Sequence, residues 1–437
     1  MTSHNSSTLE LPTLAELRRR GTKKWRGYPN DVIPMWVAES DFHTCPAVAR
    51  AIQDCVDREY FGYSADDEEL RKHSPPSTSA ASAGASPRLG SLCPDVVTGV
   101  TIAVEELTPA GSAIVLPVPA YNPFFEIPDV TGRPAIEVPM TPEGGFDLAA
   151  LEEVFASGTA TTRGRVVGTE EGHSGNAEES HGTAPAGSLI LCNPYNPLGR
   201  VFSKEELRDV VELAAKYNVR VISDEIHAPI VYPGHQHTPA ASISEIAAEN
   251  TITVTATSKG WNTAGLRCAQ MILSSPRDRE IMAGVHKLRT GEASTIGIAA
   301  ATAAYSDESG WLEEQIDYLS GNLELLERRL PEVLPGAKFH RPEGTYLLWV
   351  DARDVRGWVR PRARTVKRRR IQRGPQTQPS RSCSGRRWPS TPEPSTAPVG
   401  PDTCGSTSRP RGRFSLKRWI GSLRRASERA LKTCLPS

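Results

Sequence analysis

No run in this 437-residue chain approaches the roughly 18 consecutive apolar residues that a helical membrane span needs, so no membrane partner is expected. The first residues, MTSHNSSTLELPTL, carry no apolar core of a secretory leader, and none is expected. The eight cysteines (Cys45, Cys55, Cys93, Cys192, Cys268, Cys383, Cys404 and Cys434) show no tight metal-type spacing and no disulfide framework. Metal ligation is therefore not expected, and a reducing, cytoplasmic setting fits best. Net charge is also absent, with 51 Lys and Arg against 51 Asp and Glu, but the balance hides an asymmetry. Residues 356–437 hold 21 basic side chains against 3 acidic ones, which leaves 30 against 48 in residues 1–355. A basic tail of that kind raises nucleic-acid binding. It lacks the aromatic interleaving of such a surface, so no nucleic-acid partner is expected.

What is present is a sequence of short apolar runs alternating with helical patterns. Leu14–Arg20 reads as a short helix, Val32–Val37 as a strand, and Cys45–Glu59 as a helix with Val48, Ile52 and Cys55 or Val56 on one face. VVTGVTIAVEEL reads as a turn running into a helix, followed by the strands SAIVLPVPAY and AIEVPM and a helix over Phe146–Phe155. Ser188–Cys192, Val219–Ser223, Thr251–Thr255 and Gln270–Leu273 read as strands, with an amphipathic helix over Lys204–Tyr217. Gly310–Leu330 reads as a long helix and Thr345–Ala352 as a last strand. Strands alternating with helices predict an α/β sheet with crossover connections, whose ligands collect at the strand ends. Length allows two or three domains; the expected division is an N-terminal arm over 1–45, a large domain over 46–288 and a smaller domain over 289–355, and composition adds a basic, disordered tail over 356–437.

Three side chains stand out because each ends such a strand: Asn196 in LILCNPYNPLGR, Asp224 in VRVISDEIH and Lys259 in TVTATSKGWNTAGLRC. They lie 28 and 35 residues apart. An amide, a carboxylate and a lysine so placed are the parts needed to hold pyridoxal phosphate. Each also has a plainer reading: a turn residue, a helix cap and a loop lysine. This order and spacing resemble the pyridoxal-phosphate enzymes of fold type I, the class I/II aminotransferase family. The segments MWVAESDF, YFGY and SDEIHAPIVYPGHQHTP resemble the cystathionine β-lyase branch of that family, the PatB- and MalY-like proteins.

The resemblance implies a large domain built on a mostly parallel seven-stranded sheet plus a smaller α/β domain. It implies that Lys259 binds the cofactor covalently and moves the proton at the substrate's Cα, an amine doing both if its surroundings lower its pKa. Asp224 would keep the pyridine nitrogen protonated, and Asn196 would bond the ring's 3-oxygen. His227 would face that oxygen or the substrate, and Tyr121 would stack on the ring. Backbone amides of Gly99, Val100 and Thr101 at a helix start, with Ser258, would cradle the phosphate. Tyr63 would enter from the neighbouring subunit, which makes the protein a homodimer. Trp36, Val37 and Ala38 would close over an amino-acid substrate. The activity implied is a carbon–sulfur β-lyase releasing pyruvate, ammonia and a thiol. Class I/II aminotransfer remains the alternative, since both reactions use Lys259, Asp224 and Asn196. A cofactor-binding protein without useful catalysis is the third reading.

Two family features are missing from the text: the helix after FGY, and the VRLNF segment whose arginine holds the substrate carboxylate. Lys72–Ser86 reads KHSPPSTSAASAGAS, and codons exist that give this in one frame and AFAAFYQRRFGWRL in the next. Residues 404–423 read CGSTSRPRGRFSLKRWIGSL, with VRLNFATPRAVLTEALDRIA in a neighbouring frame. Both stretches therefore read as translated out of frame, and Gly158–Gly187 as a polar surface insertion. Reading the gene in all three frames is expected to reveal both peptides; their absence would end this interpretation.

Overall fold

A computed structural model describes residues 9, 11–63, 68–73, 89–157 and 184–356. Seven strands form one sheet: β1 (Leu89–Cys93), β2 (Ala113–Val118), β3 (Ala135–Pro139), β4 (Ala186–Cys192), β5 (Arg220–Asp224), β6 (Thr251–Thr255) and β7 (Ala269–Leu273). Their spatial order is β1-β7-β6-β5-β4-β2-β3. Strands β3, β2, β4, β5 and β6 run parallel, and β7 is antiparallel to both β6 and β1. The expected, mostly parallel seven-stranded sheet is therefore present. Its central strands are buried on both faces, as expected where helices cover a parallel sheet: β4 carries the apolar run LILC, and β5 buries Val221, Ile222, Ser223 and Asp224. Ile190, Leu191, Val221, Ile222, Ile252 and Val254 are all buried in the main core.

Helix starts follow local chemistry. Ser203 caps Lys204–Lys216 through a reciprocal bond set with Glu206, and Thr13 does the same for Leu14–Arg20 with Glu16. Asp95 caps Val96–Leu107, accepting from the Thr98 amide at 2.8 Å.

A second core brings distant segments together. Phe42, Cys45 and Val48 pack with Trp261, Ala300, Ala304 and Trp311. These come from the N-terminal segment, the Lys259 loop and the helices Thr295–Tyr305 and Trp311–Val333.

Several expectations are corrected. Val32–Val37 forms no strand; Pro34 interrupts it, and its residues are turns and bends. Thr345–Ala352 is a strand only at Val350–Asp351 (β9), paired with Lys338–Phe339 (β8), because Thr345 takes a left-handed φ of 66°. Strand β1 lies partly in what reads as linker, and β4 starts two residues early, at Ala186. Cys45, Cys55, Cys93, Cys192 and Cys268 are all buried. Residues 74–88, 158–183 and 357–437, with the linker, most of the insertion and almost all of the basic tail, lie outside the described residues. Among the described residues no helix is long and apolar enough to cross a membrane, and no cluster of metal-binding side chains occurs.

Gly99 sits where the helix Val96–Leu107 crosses the sheet. A Cβ there would lie 2.7 Å from Val254 Cγ1 and 2.9 Å from Cys93 Sγ. Alanine would gain about 1 kcal/mol in helix propensity, but overpacking a filled core costs about 1–3 kcal/mol. Gly99→Ala is expected to lower Tm; an unchanged or higher Tm in a thermal melt would refute that balance.

Candidate active site

The parallel strands all deliver their carboxyl ends to one edge of the sheet. In register, Cys192 at the end of β4 lies opposite Asp224 at the end of β5, and Asp224 lies opposite Val254 on β6. Lys259 follows β6 in the loop that turns the chain back into β7, and Tyr121 follows β2. The fold thus gathers at one rim the residues that the sequence spaced apart.

Lys259 is largely buried, and desolvation pushes its amine below the usual lysine range despite the nearby carboxylates of Asp224 and Glu39. Its Nζ donates to the Ala38 carbonyl at 3.0 Å. Asp224 is 3 % exposed. Burial raises its carboxyl to about 7, opposed by the Ile226 amide, which donates to Oδ1 at 3.0 Å, and by the Lys259 charge. His227 is buried, and desolvation together with the Lys259 charge lowers its imidazole to about 3, so it is neutral. Its Nδ1 is buried without a hydrogen-bond partner. Tyr121 is half-buried; its phenol is raised by burial and by Asp224, and its ring meets Phe124 edge-on at 5.5 Å.

Asn196 and Ser258 sit half-buried on the loops after β4 and β6, on the same rim. The half-buried Val37 and Ala38 reach the site through the Ala38 carbonyl, whereas Trp36 is 45 % exposed and donates from Nε1 to the Lys24 carbonyl. Tyr63 is not brought to Lys259 within this chain. It is 92 % exposed, on a cleft of about 1080 Å³ lined by Arg267, Lys287 and Ser294 but not by Lys259.

The phosphate cradle needs correction. Gly99, Val100 and Thr101 occupy the second turn of their helix, where amides are already committed: Gly99 donates to the Asp95 carbonyl. The amides without an intrahelical partner belong to the first turn. Of these, Thr98 donates to Asp95, which leaves Val96 and Val97 free for an anion. Asp95 is itself ion-paired with Arg267 at 3.0 Å.

Other residues matter that sequence reading passed over. Tyr346, read as part of a strand, donates its hydroxyl to the same Ala38 carbonyl at 3.1 Å and meets His227 edge-on at 6.2 Å. Buried Glu225 accepts from Ser223 Oγ, the Ala240 amide and His237 Nε2. His237 Nδ1 in turn faces Asn193 Nδ2, and Asn193 Oδ1 accepts from the Phe202 amide. This network ties the loop after β4 to the loop after β5. The clustering of polar residues in SDEIHAPIVYPGHQHTP was the available signal, but it names no partners.

A half-buried amine with a lowered pKa, a buried carboxylate on the next strand, an unpartnered imidazole nitrogen and two free helix-start amides suit an aromatic, phosphorylated aldehyde with a basic ring nitrogen. Pyridoxal phosphate fits these residues. Fold and site together define a protein of the pyridoxal-phosphate fold type I class. Within it, residues 97–368 match the model of the family described as aminotransferase class I and II. The chain is 41% identical over 352 residues to the cystathionine beta-lyase of Corynebacterium glutamicum, covering 78% of this chain and 84% of that protein. It is 31% identical to cystathionine beta-lyase PatB of Bacillus subtilis, over 74% and 78% of the two chains. The solved structure of a candidate PLP-dependent beta-cystathionase from Corynebacterium diphtheriae superposes with a TM-score of 0.68 at 40% identity, covering 79% and 84%. The chain belongs to the class I and II aminotransferase family.

Asp224 also sets a pH dependence. Its carboxyl is raised in the folded protein, so the folded state favours the protonated form. The stability this contributes is full below an ordinary aspartate pKa and is lost as pH rises toward about 7. In cofactor-free protein, Tm is expected to fall between about pH 4 and 7, and Asp224→Asn is expected to flatten that fall. An unchanged slope in the variant would show that Asp224 is not the responsible group.

Proposed function

We propose that this chain is a pyridoxal-phosphate-dependent carbon–sulfur β-lyase that takes a cysteine-type thioether amino acid and yields a thiol, pyruvate and ammonia. The carrying observation is the pairing of half-buried Lys259, on the loop after β6, with buried Asp224 at the end of the adjacent strand β5. It occurs in a chain 41% identical to a cystathionine beta-lyase.

When bound, the cofactor supplies the electron sink. Lys259 would hold it and, once released, would take the proton from the substrate's Cα, a role favoured by the desolvation that lowers the amine's pKa. Asp224 holds the proton on the ring nitrogen, and the cation beside it restores the carboxylate's charge. The orphaned Nδ1 of neutral His227 is available to the cofactor's ring oxygen or to the substrate. Asn196 shares that oxygen, and Tyr121 covers the ring face. Val96 and Val97 amides, Ser258 and Arg267 hold the phosphate. The electron pair left at Cα would form the Cα–Cβ double bond as the β-carbon–sulfur bond breaks; the sulfur would leave as a thiolate and take up a proton, and water would hydrolyse the released aminoacrylate to pyruvate and ammonia.

The reading includes a homodimer. Tyr63 completes the site only from a second copy, and the exposed Ile33, Met35, Phe61 and Leu288 supply apolar surface for that contact. Free buried thiols fit a reducing, cytoplasmic compartment. The family membership also favours aminotransfer as a second reading. A bidentate arginine for the substrate carboxylate is best sought in the shifted frame of 404–423.

Purified protein loaded with pyridoxal phosphate is expected to release pyruvate from L-cystathionine, and Lys259→Ala to lose the cofactor's bound absorbance and at least about 10²–10⁴-fold in turnover. Keto-acid-dependent conversion without pyruvate would establish the aminotransferase instead. Bound cofactor with neither product would mean an impaired site.

A further inference from the structure

The segment 36–42 belongs to no sheet, yet it is held against Lys259 from several directions. The Ala38 carbonyl accepts from Lys259 Nζ at 3.0 Å and from the Tyr346 hydroxyl at 3.1 Å. Two residues on, the Asn262 side chain grips the Ser40 backbone twice. The Ser40 amide donates to Asn262 Oδ1 and Asn262 Nδ2 donates to the Ser40 carbonyl, both at 3.2 Å. A primary amide used this way takes the place of a neighbouring strand. Asn262 has a left-handed φ of 56° in the turn that carries Lys259, so clamp and reactive amine share one rigid piece of backbone. Lys24 holds the far side, donating to the Glu39 carbonyl at 2.9 Å and to Asp41 Oδ2 at 2.7 Å.

We propose that Asn262 and Tyr346 are positioning residues of a latch that holds residues 36–42 over the site, with Lys259 as its switchable member. The proposal rests on Lys259 being the cofactor-binding lysine. The amine donates to Ala38 only while it is free; committed covalently elsewhere, it leaves that carbonyl to Tyr346 alone. Asn262 is the constant grip. The segment is thus held most firmly when the lysine is free, both without cofactor and after substrate has taken the lysine's place. In the cofactor-loaded protein, closure is thereby tied to the presence of substrate, with no separate lid.

The two side chains serve the latch differently. Asn262 is exposed and bonds backbone, so its removal leaves the cofactor residues intact. Tyr346 is half-buried, and desolvation with the nearby Glu39 charge raises its phenol pKa and keeps it donating.

Hydrogen–deuterium exchange of the cofactor-free protein tests the clamp. Asn262→Gly keeps the left-handed backbone without strain and deletes both bonds. The Ser40 amide is expected to exchange about tenfold faster, with β6 unchanged. Asn262→Asp keeps the acceptor and loses only the donor, so its exchange is expected to stay near that of the parent. Adding pyridoxal phosphate to the parent protein is expected to speed exchange over residues 36–42, and to have no such effect in Lys259→Ala. In kinetics, Asn262→Gly is expected to raise KM about tenfold while kcat changes about twofold or less. Unchanged Ser40 exchange in Asn262→Gly, or acceleration spread equally through β6, would overturn the latch. If no lyase activity is found in any form, the exchange experiment still decides the clamp, because it needs no turnover.

Discussion

An amine and a carboxylate share one desolvated rim, and the rest of the site is arranged around that fact. Burial penalises the charge on Lys259 and on Asp224, and each charge partly relieves the other. Neither group could be held there by a loop alone. Asp224 ends β5, whose residues are locked in register with β4 and β6, and Lys259 follows β6 within four residues. The parallel sheet fixes the separation of the two groups as firmly as it fixes its own hydrogen bonds.

Around that pair the loops are braced by buried polar contacts. Glu225, next to Asp224, satisfies its oxygens with Ser223, Ala240 and His237, and His237 hands the connection to Asn193 on the next loop. A buried carboxylate left unsatisfied would cost far more than these bonds return individually, so the network is held as a whole. It explains why Asn193, rather than Asn196, is the buried member of NPYNP: Asn193 is tied to Thr238 and Phe202, which leaves Asn196 free to face the rim.

Lys259 and Asp224 do not choose between elimination and aminotransfer, because both reactions begin with the same proton removal. The choice falls to whatever holds the substrate's side chain and controls water; among the described residues, the segment 36–42 and Tyr346 are the parts that meet Lys259 from outside the sheet. Those are also the parts of the molecule assembled from the most distant stretches of chain.

Legibility in the sequence followed from how local the cause was. The apolar runs of β4, β5 and β6 were readable because fully buried strands tolerate little else, and Lys259 and Asp224 were readable because they ended those runs. β1 was not, since LGSLC is short and follows a low-complexity stretch. Gly99–Thr101 read as the turn that opens a helix because glycine suggests a turn, whereas Gly99 lies in the helix's second turn, packed closely against Val254. Val32–Val37 had a strand's composition but no neighbour to pair with. The sequence by itself determined where the central strands fall along the chain, which depends on local composition, and it offered Lys259 and Asp224 as candidates. Tertiary structure alone decided that Ala38, Lys259 and Tyr346 meet at one carbonyl and that Tyr63 does not reach it. Such contacts depend on which surfaces the core presses together, and no periodicity in the chain records that.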